Sequence, residues 1–163
     1  MVTFYQRRVH SKKWLGVIAA SEKITVVFAG VPDTGPLVVQ SDATWPLQSG
    51  DRPQAYAVMH KHVSDFVREN KIDRVVIKAS ALSMGSTKKA HLEACELRGV
   101  VAGAAASITE TEFIAKAHMS RTFGSRKVDD YLADTAFWKS ETSGATVRIG
   151  SREAALVLLA ARK

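Results

Sequence analysis

The side chains able to do chemistry in this sequence are mostly cations, and its carboxylates follow no recognised ligand pattern. Lys78 closes the apolar run Val75-Val76-Ile77, which reads as a buried strand. A fixed positive charge there repels a metal cation and attracts a phosphate. Further on, Ser86-Thr87-Lys88-Lys89 reads as a helix start capped by Ser86 or Thr87. Backbone N–H groups at a helix N-terminus favour anions, so with two lysines and Lys78 nearby the segment suits a phosphate. The competing reading is a capped helix with exposed lysines. Ser83 to Lys89 is not a nucleotide-binding P-loop, because it has one glycine and lacks the strand-to-helix spacing. Arg121, Arg126 and Lys127 surround Gly124-Ser125, and Phe123 among them either stacks on a base or packs into the core.

Acids and soft ligands make no recognisable set. Asp129, Asp130 and Asp134 cluster on one helical stretch; Asp130 and Asp134, four apart, could hold a cation, but a solvated acidic face beside Arg126 and Lys127 is the better reading. Glu22 and Glu153 stand alone. Of the five histidines, His10, His60, His62, His91 and His118, His60 and His62 lie two apart on a helix and so face different ways. His91 reads as a solvated side chain near Lys88 and Lys89. Cys95 is the single cysteine, which excludes an internal disulfide and suits a reducing compartment. A small buried thiol is the expected role. Neither metal nor cofactor is expected.

Lys and Arg number 23 against 16 Asp and Glu, a formal net charge of +7 over 163 residues. That balance favours a polyanionic partner such as nucleic acid, although small basic proteins without one are common. No stretch of about 18 apolar residues and no signal-peptide pattern is present, so a cytoplasmic protein without membrane partners is expected.

The elements that must position these residues follow from periodicity. Residues 1–13 carry Arg7, Arg8, Lys12 and Lys13 and no acid, a basic arm that is either disordered or in contact with phosphate. Residues 14–20 and 23–30 read as strands joined by a tight hairpin at Ser21-Glu22, and Leu37-Val38-Val39 as a third strand. Tyr56, Met59, Val63, Phe66 and Val67 share one helical face ending at Asn70-Lys71. After the strand 75–77 come a helix over 88–106 with a small-residue face, a strand within 107–112, a helical stretch over 113–120 and another over 126–140. The 126–140 stretch turns Val128, Leu132, Thr135 and Phe137 partly inward. A turn at Ser143-Gly144 precedes a last apolar helix over 152–161, capped by Ser151. Three meandering strands followed by alternating helices and strands predict an α/β RNase H-like mixed sheet, three antiparallel strands and then parallel ones, flanked by helices, over residues 14–163.

Leu15-Gly16-Val17, Glu93 to Val100 with its Arg98-Gly99 pair, the glycine-bearing loop 116–128 and the helix 151–161 together resemble the RuvC-type Holliday-junction resolvase branch of the RNase H-like superfamily. The resemblance implies two divalent metals held by carboxylates from the first strand, the fourth strand and the last helix. At those positions this sequence has Ile18, Lys78 and, on the helix, only Glu153 flanked by Arg152 and Ala154-Ala155. One carboxylate beside a lysine makes a salt bridge rather than a metal centre. The resemblance therefore implies a degenerate, non-catalytic member that binds nucleic acid, DNA above all and without sequence preference, through Lys78, Lys88, Lys89, Arg121, Arg126 and Lys127. It also implies a homodimer with Arg98 and Gly99 at or near the interface. Two alternatives stand beside it: a metal-dependent nuclease with a displaced set such as Glu22, Glu153 and Asp134, and a structural or regulatory protein whose basicity is incidental.

Overall fold

The structure, a computed structural model, describes residues 11–82, 85 and 87–163. The expected arm falls mostly outside them, and only its end is seen: β1 (Lys12–Ala19) already begins at Lys12, two residues before the apolar run. The hairpin to β2 (Lys23–Val31) closes with the Ala20 amide donating to the Lys23 carbonyl at 2.9 Å. β3 (Leu37–Pro46) is ten residues long, so the expected three-residue strand was too short. Its second half, Gln40 to Thr44, is polar and partly exposed, which hides strand periodicity from an apolar reading.

Asp51 caps α1 (Arg52–Glu69) by accepting from the Gln54 amide at 3.2 Å, and Pro53 sits in the first turn, where its missing N–H costs nothing. The helix stops through a Schellman arrangement. The Ile72 and Lys71 amides donate to the Val67 and Arg68 carbonyls, and Lys71 takes the left-handed conformation at φ 53°. The chain then enters β4 (Arg74–Lys78). α2 (Lys89–Ala106) begins at Lys88, which has extended backbone angles and makes no side-chain cap; Ser86, one of the two expected caps, lies outside the described residues. β5 spans Glu110–Ile114, shifted toward the C-terminus of the expected 107–112, so Phe113 and Ile114 are strand and only α3 (Lys116–Ser120) is helical after them.

The expected helix over 126–140 is two helices, α4 (Val128–Ala133) and α5 (Thr135–Glu141), broken at Asp134. Asp134 has extended angles and caps α5 through a 3.0 Å bond from the Phe137 amide, so a capping carboxylate inside the helical pattern ends one helix and starts the next. Thr135 is exposed, whereas Val128 is buried and Leu132 and Phe137 are half-buried. Ser143-Gly144 is part of β6 (Thr142–Gly144), which pairs in parallel with β3. A 3-10 turn (Ile149–Ser151) leads into α6 (Arg152–Arg162).

The six strands form one mixed sheet in the order β5-β4-β1-β2-β3-β6, antiparallel between β1, β2 and β3 and parallel elsewhere. Both faces are covered. Leu15, Val17, Val26, Val75 and Ile77 face α1 and α2, whereas Trp14, Val27, Val39 and Val76 face α6 and the short helices. Beyond Lys12 and Lys13, β1 is therefore covered on both sides and apolar throughout. α6 lies directly on β1 at Gly16, where a Cβ would run into the Ala154 carbonyl oxygen and stand 3.0 Å from Leu158 Cγ. Among the described residues, no helix is long and apolar enough to cross a membrane.

Candidate nucleic-acid interface at the strand ends

β1 and β4 run in parallel, with Val17 opposite Ile77, so Ile18 and Lys78 follow side by side at the carboxyl ends of the two central strands. Ile18 packs against the apolar cluster beneath α6. Because Gly16 lets α6 approach the sheet, the first turn of that helix meets the same strand ends, and Glu153 there forms an ion pair with Lys78. Both side chains are about one-fifth exposed, at 23% and 22%. The three positions Ile18, Lys78 and Glu153 thus converge in space, and Lys78 lends its charge to Glu153.

A second carboxylate at this end was missed from sequence. Asp42 lies in the part of β3 beyond the expected Leu37-Val38-Val39 strand, opposite Val27, and its side chain is 5% exposed. The Arg148 guanidinium donates to both of its oxygens, Nη2 to Oδ1 at 2.8 Å and Nε to Oδ2 at 3.1 Å. The Arg148 amide adds a third bond at 2.8 Å, and the Ser151 hydroxyl donates a fourth. Burial acts to raise the Asp42 pKa, but the hydrogen bonds from Arg148 and Ser151 outweigh it and hold the carboxyl below its ordinary value. Ser151 stands at the start of α6 but spends its hydroxyl on Asp42 rather than on a helix amide, so the expected side-chain cap is absent. Nothing in Gln40 to Thr44 signals Asp42 locally, since the stretch is neither an apolar run nor cleanly alternating.

The displaced acid set does not come together. Glu22 pairs with Arg52 at 2.8 Å beside the β1–β2 turn, Glu153 pairs with Lys78, and Asp134 pairs with Arg126 at 3.2 Å while capping α5. The Phe137 amide lowers the Asp134 pKa most, with Arg126 assisting against partial burial. Among the described residues no three His, Cys, Asp or Glu side chains lie close enough to share a metal ion. Among the described residues the histidines are dispersed: His62 stacks on Trp45 at 4.1 Å, His118 Nε2 lies 3.0 Å from the Ala160 carbonyl, and His91 Nε2 is 3.9 Å from Cys95 Sγ.

The remaining cations leave the sheet from the same end. β4 and β5 are parallel and finish together, Lys78 opposite Ile114, and the Ala79 amide donates to the Ile114 carbonyl at 2.9 Å. The segment carrying Lys88 and Lys89 departs from β4, and the one carrying Arg121, Arg126 and Lys127 departs from β5. Lys88, Lys89, Arg121 and Lys127 are exposed. Lys89 reaches Glu93 at 3.6 Å, and Arg126 lies over the Tyr131 ring at 4.7 Å besides its bond to Asp134. Phe123 is half-buried, packed edge-on against Phe137 with the Lys163 ammonium 3.6 Å over its ring, so its role is packing. Arg98 is half-buried and donates from Nη1 to Ser80 Oγ at 2.5 Å and from Nη2 to the Ala19 carbonyl at 3.3 Å, while Gly99 next to it is exposed.

No family model matches the sequence, and no curated protein does. Solved structures do. The RuvC structure from Thermus thermophilus superposes with a TM-score of 0.71 at 9% identity, over 92% of this chain and 93% of that one. The T. thermophilus RuvC in complex with Holliday junction substrate gives 0.67 at 9% identity, over 91% of each chain. The yeast mitochondrial Holliday junction resolvase Ydc2 gives 0.66 at 8% identity, over 93% of this chain and 78% of that one. The fold is therefore a RuvC-type RNase H-like fold. Identities this low carry the fold and leave the chemistry to the residues described above.

Proposed function

We propose that this protein is a non-catalytic nucleic-acid-binding member of the RuvC-type fold, with DNA as its partner. The observation that carries the reading is the Lys78–Glu153 ion pair, flanked by Ile18, at the convergence of β1, β4 and α6. Two-metal hydrolysis needs several oxygen ligands around each cation. Here Glu153 is paired with Lys78, and the second acid at this end, Asp42, is paired with Arg148. The fold similarity to a RuvC bound to a Holliday junction supports a nucleic-acid partner, as do the net charge of +7 and the exposed Lys88, Lys89, Arg121 and Lys127 leaving the strand ends. Such cations contact phosphates without reading bases, so binding is sequence-independent. The test is incubation of labelled four-way-junction, duplex and single-stranded DNA with pure protein in magnesium or manganese. Intact substrate is expected; cleavage abolished by Glu153→Ala would restore the nuclease reading.

The same reading includes a homodimer through the outer face of α2. Leu92 is 55% exposed, and a Cβ placed at Gly99 or Gly103 would meet nothing within 4 Å. Small residues on an open helix face permit close backbone approach by a second copy, and two-fold dimers are the commonest assembly.

A further inference from the structure

Arg152, the first residue of α6, is 7% exposed. Its guanidinium donates from Nη1 to the Leu132 carbonyl at 2.8 Å and from Nη2 to Thr135 Oγ1 at 3.3 Å, while Nε is buried with no partner. No carboxylate among the described residues forms an ion pair with it. Asp134, between those two acceptors in sequence, is held by Arg126 and by the Phe137 amide. Guanidinium stays charged at every accessible pH, and a buried charge without a counter-ion is strongly unfavourable. Arg98 also has an unpartnered Nε, but that residue is partly exposed.

Arg152 lines a cavity of about 360 Å³ between α5, β6 and the start of α6, together with Thr135, Lys139, Thr142, Ser143 and Thr146. No acid lines it. Thr142 and Ser143 donate their hydroxyl protons to the Trp138 and Leu37 carbonyls. Thr135 accepts from Arg152 and keeps its own proton to donate, and Lys139 and Thr146 are exposed. The donors left are thus the Arg152 Nε–H, an ammonium and two hydroxyls, a set that matches the acceptor oxygens of one phosphate group. We propose that this cavity binds a phosphate group, with Arg152 as its buried counter-charge and Lys139, Thr135 and Thr146 completing the donors. The phosphate belongs either to a small phosphomonoester or to a nucleic-acid backbone. The site is separate from the lysines at the strand ends and does not depend on them.

The experiment is isothermal titration calorimetry of the full chain with inorganic phosphate, thymidine 5′-monophosphate and a short single-stranded oligonucleotide at constant ionic strength. The variants are Arg152→Gln and Thr146→Glu, the second placing a carboxylate at an exposed lining position. Binding weakened at least about tenfold in both variants is the expected result; where Arg152→Gln fails to fold, Thr146→Glu decides. Saturable binding of the two small ligands identifies a monoester site, and binding of the oligonucleotide alone, still sensitive to Thr146→Glu, identifies a backbone site. No binding of any ligand, or binding that Thr146→Glu leaves unchanged, overturns the proposal. Phosphate binding that survives Lys88→Glu, Lys89→Glu and Arg126→Glu while DNA binding is lost separates this site from the strand-end surface.

Discussion

Lys78 and Glu153 form the ion pair at the strand ends, and their pairing was legible before the structure because no other carboxylate was expected at that junction. Asp42 was not legible, since Gln40 to Thr44 shows neither an apolar run nor clean alternation. Its role is nevertheless the more measurable. The folded-state pKa of Asp42 lies below its unfolded value, so its contribution to stability is fully present above the unfolded pKa of about 3.9 and is lost as pH falls through the folded value. Asp42→Asn is expected to destabilise the protein by about 2 kcal/mol at pH 7, the range for hydrogen bonds to a charged group. The difference from wild type should shrink as the pH drops below about 4. Urea denaturation at pH 7 and pH 3 checks this; an equal difference at both would show that Asp42 contributes by shape rather than by charge.

α6 sits on the sheet by virtue of one glycine, and that contact carries Glu153 and Ser151 to the strand ends. Gly16→Ala forces a methyl group against the Ala154 carbonyl oxygen, and the expected cost is about 3 kcal/mol, the upper end for overpacking because backbone must move. Chemical denaturation measures it, and a change below about 0.5 kcal/mol would mean that α6 is not seated on β1 as described. Strand and helix order was readable at this scale because β1, β2 and β4 are apolar runs and α1 has a one-sided face. Two departures have different causes, one local and one not. Asp134 satisfies the α5 amides and so divides a stretch whose apolar spacing runs on past it. β6 has only three residues, Thr142 to Gly144, and pairs with a strand more than a hundred residues earlier, so no local pattern announces it.

For the whole molecule, the open face of α2 and the basic strand ends make separate predictions. Gly99→Trp adds bulk where a Cβ meets nothing within 4 Å, so the monomer should fold normally while the dimer is lost. Light scattering at tens of micromolar protein reads the outcome, and a wild-type mass equal to 17.7 kDa would remove the dimer from the account. Fold class was legible from element order alone, whereas which carboxylates come together had to be judged position by position, because it depends on which side chains meet and not on the pattern that makes strands. The central claim is binding of nucleic-acid phosphates by the strand-end cations. Fluorescence-anisotropy titration of four-way-junction, duplex and single-stranded DNA at two salt concentrations tests it most directly. The account predicts sequence-independent binding that weakens steeply with salt, and a marked loss when Lys88, Lys89 and Arg126 are reversed to glutamate. No binding below about 100 μM at low salt, or binding unchanged by the triple reversal, would contradict it, since non-specific dissociation constants normally fall at or below that concentration even at physiological salt.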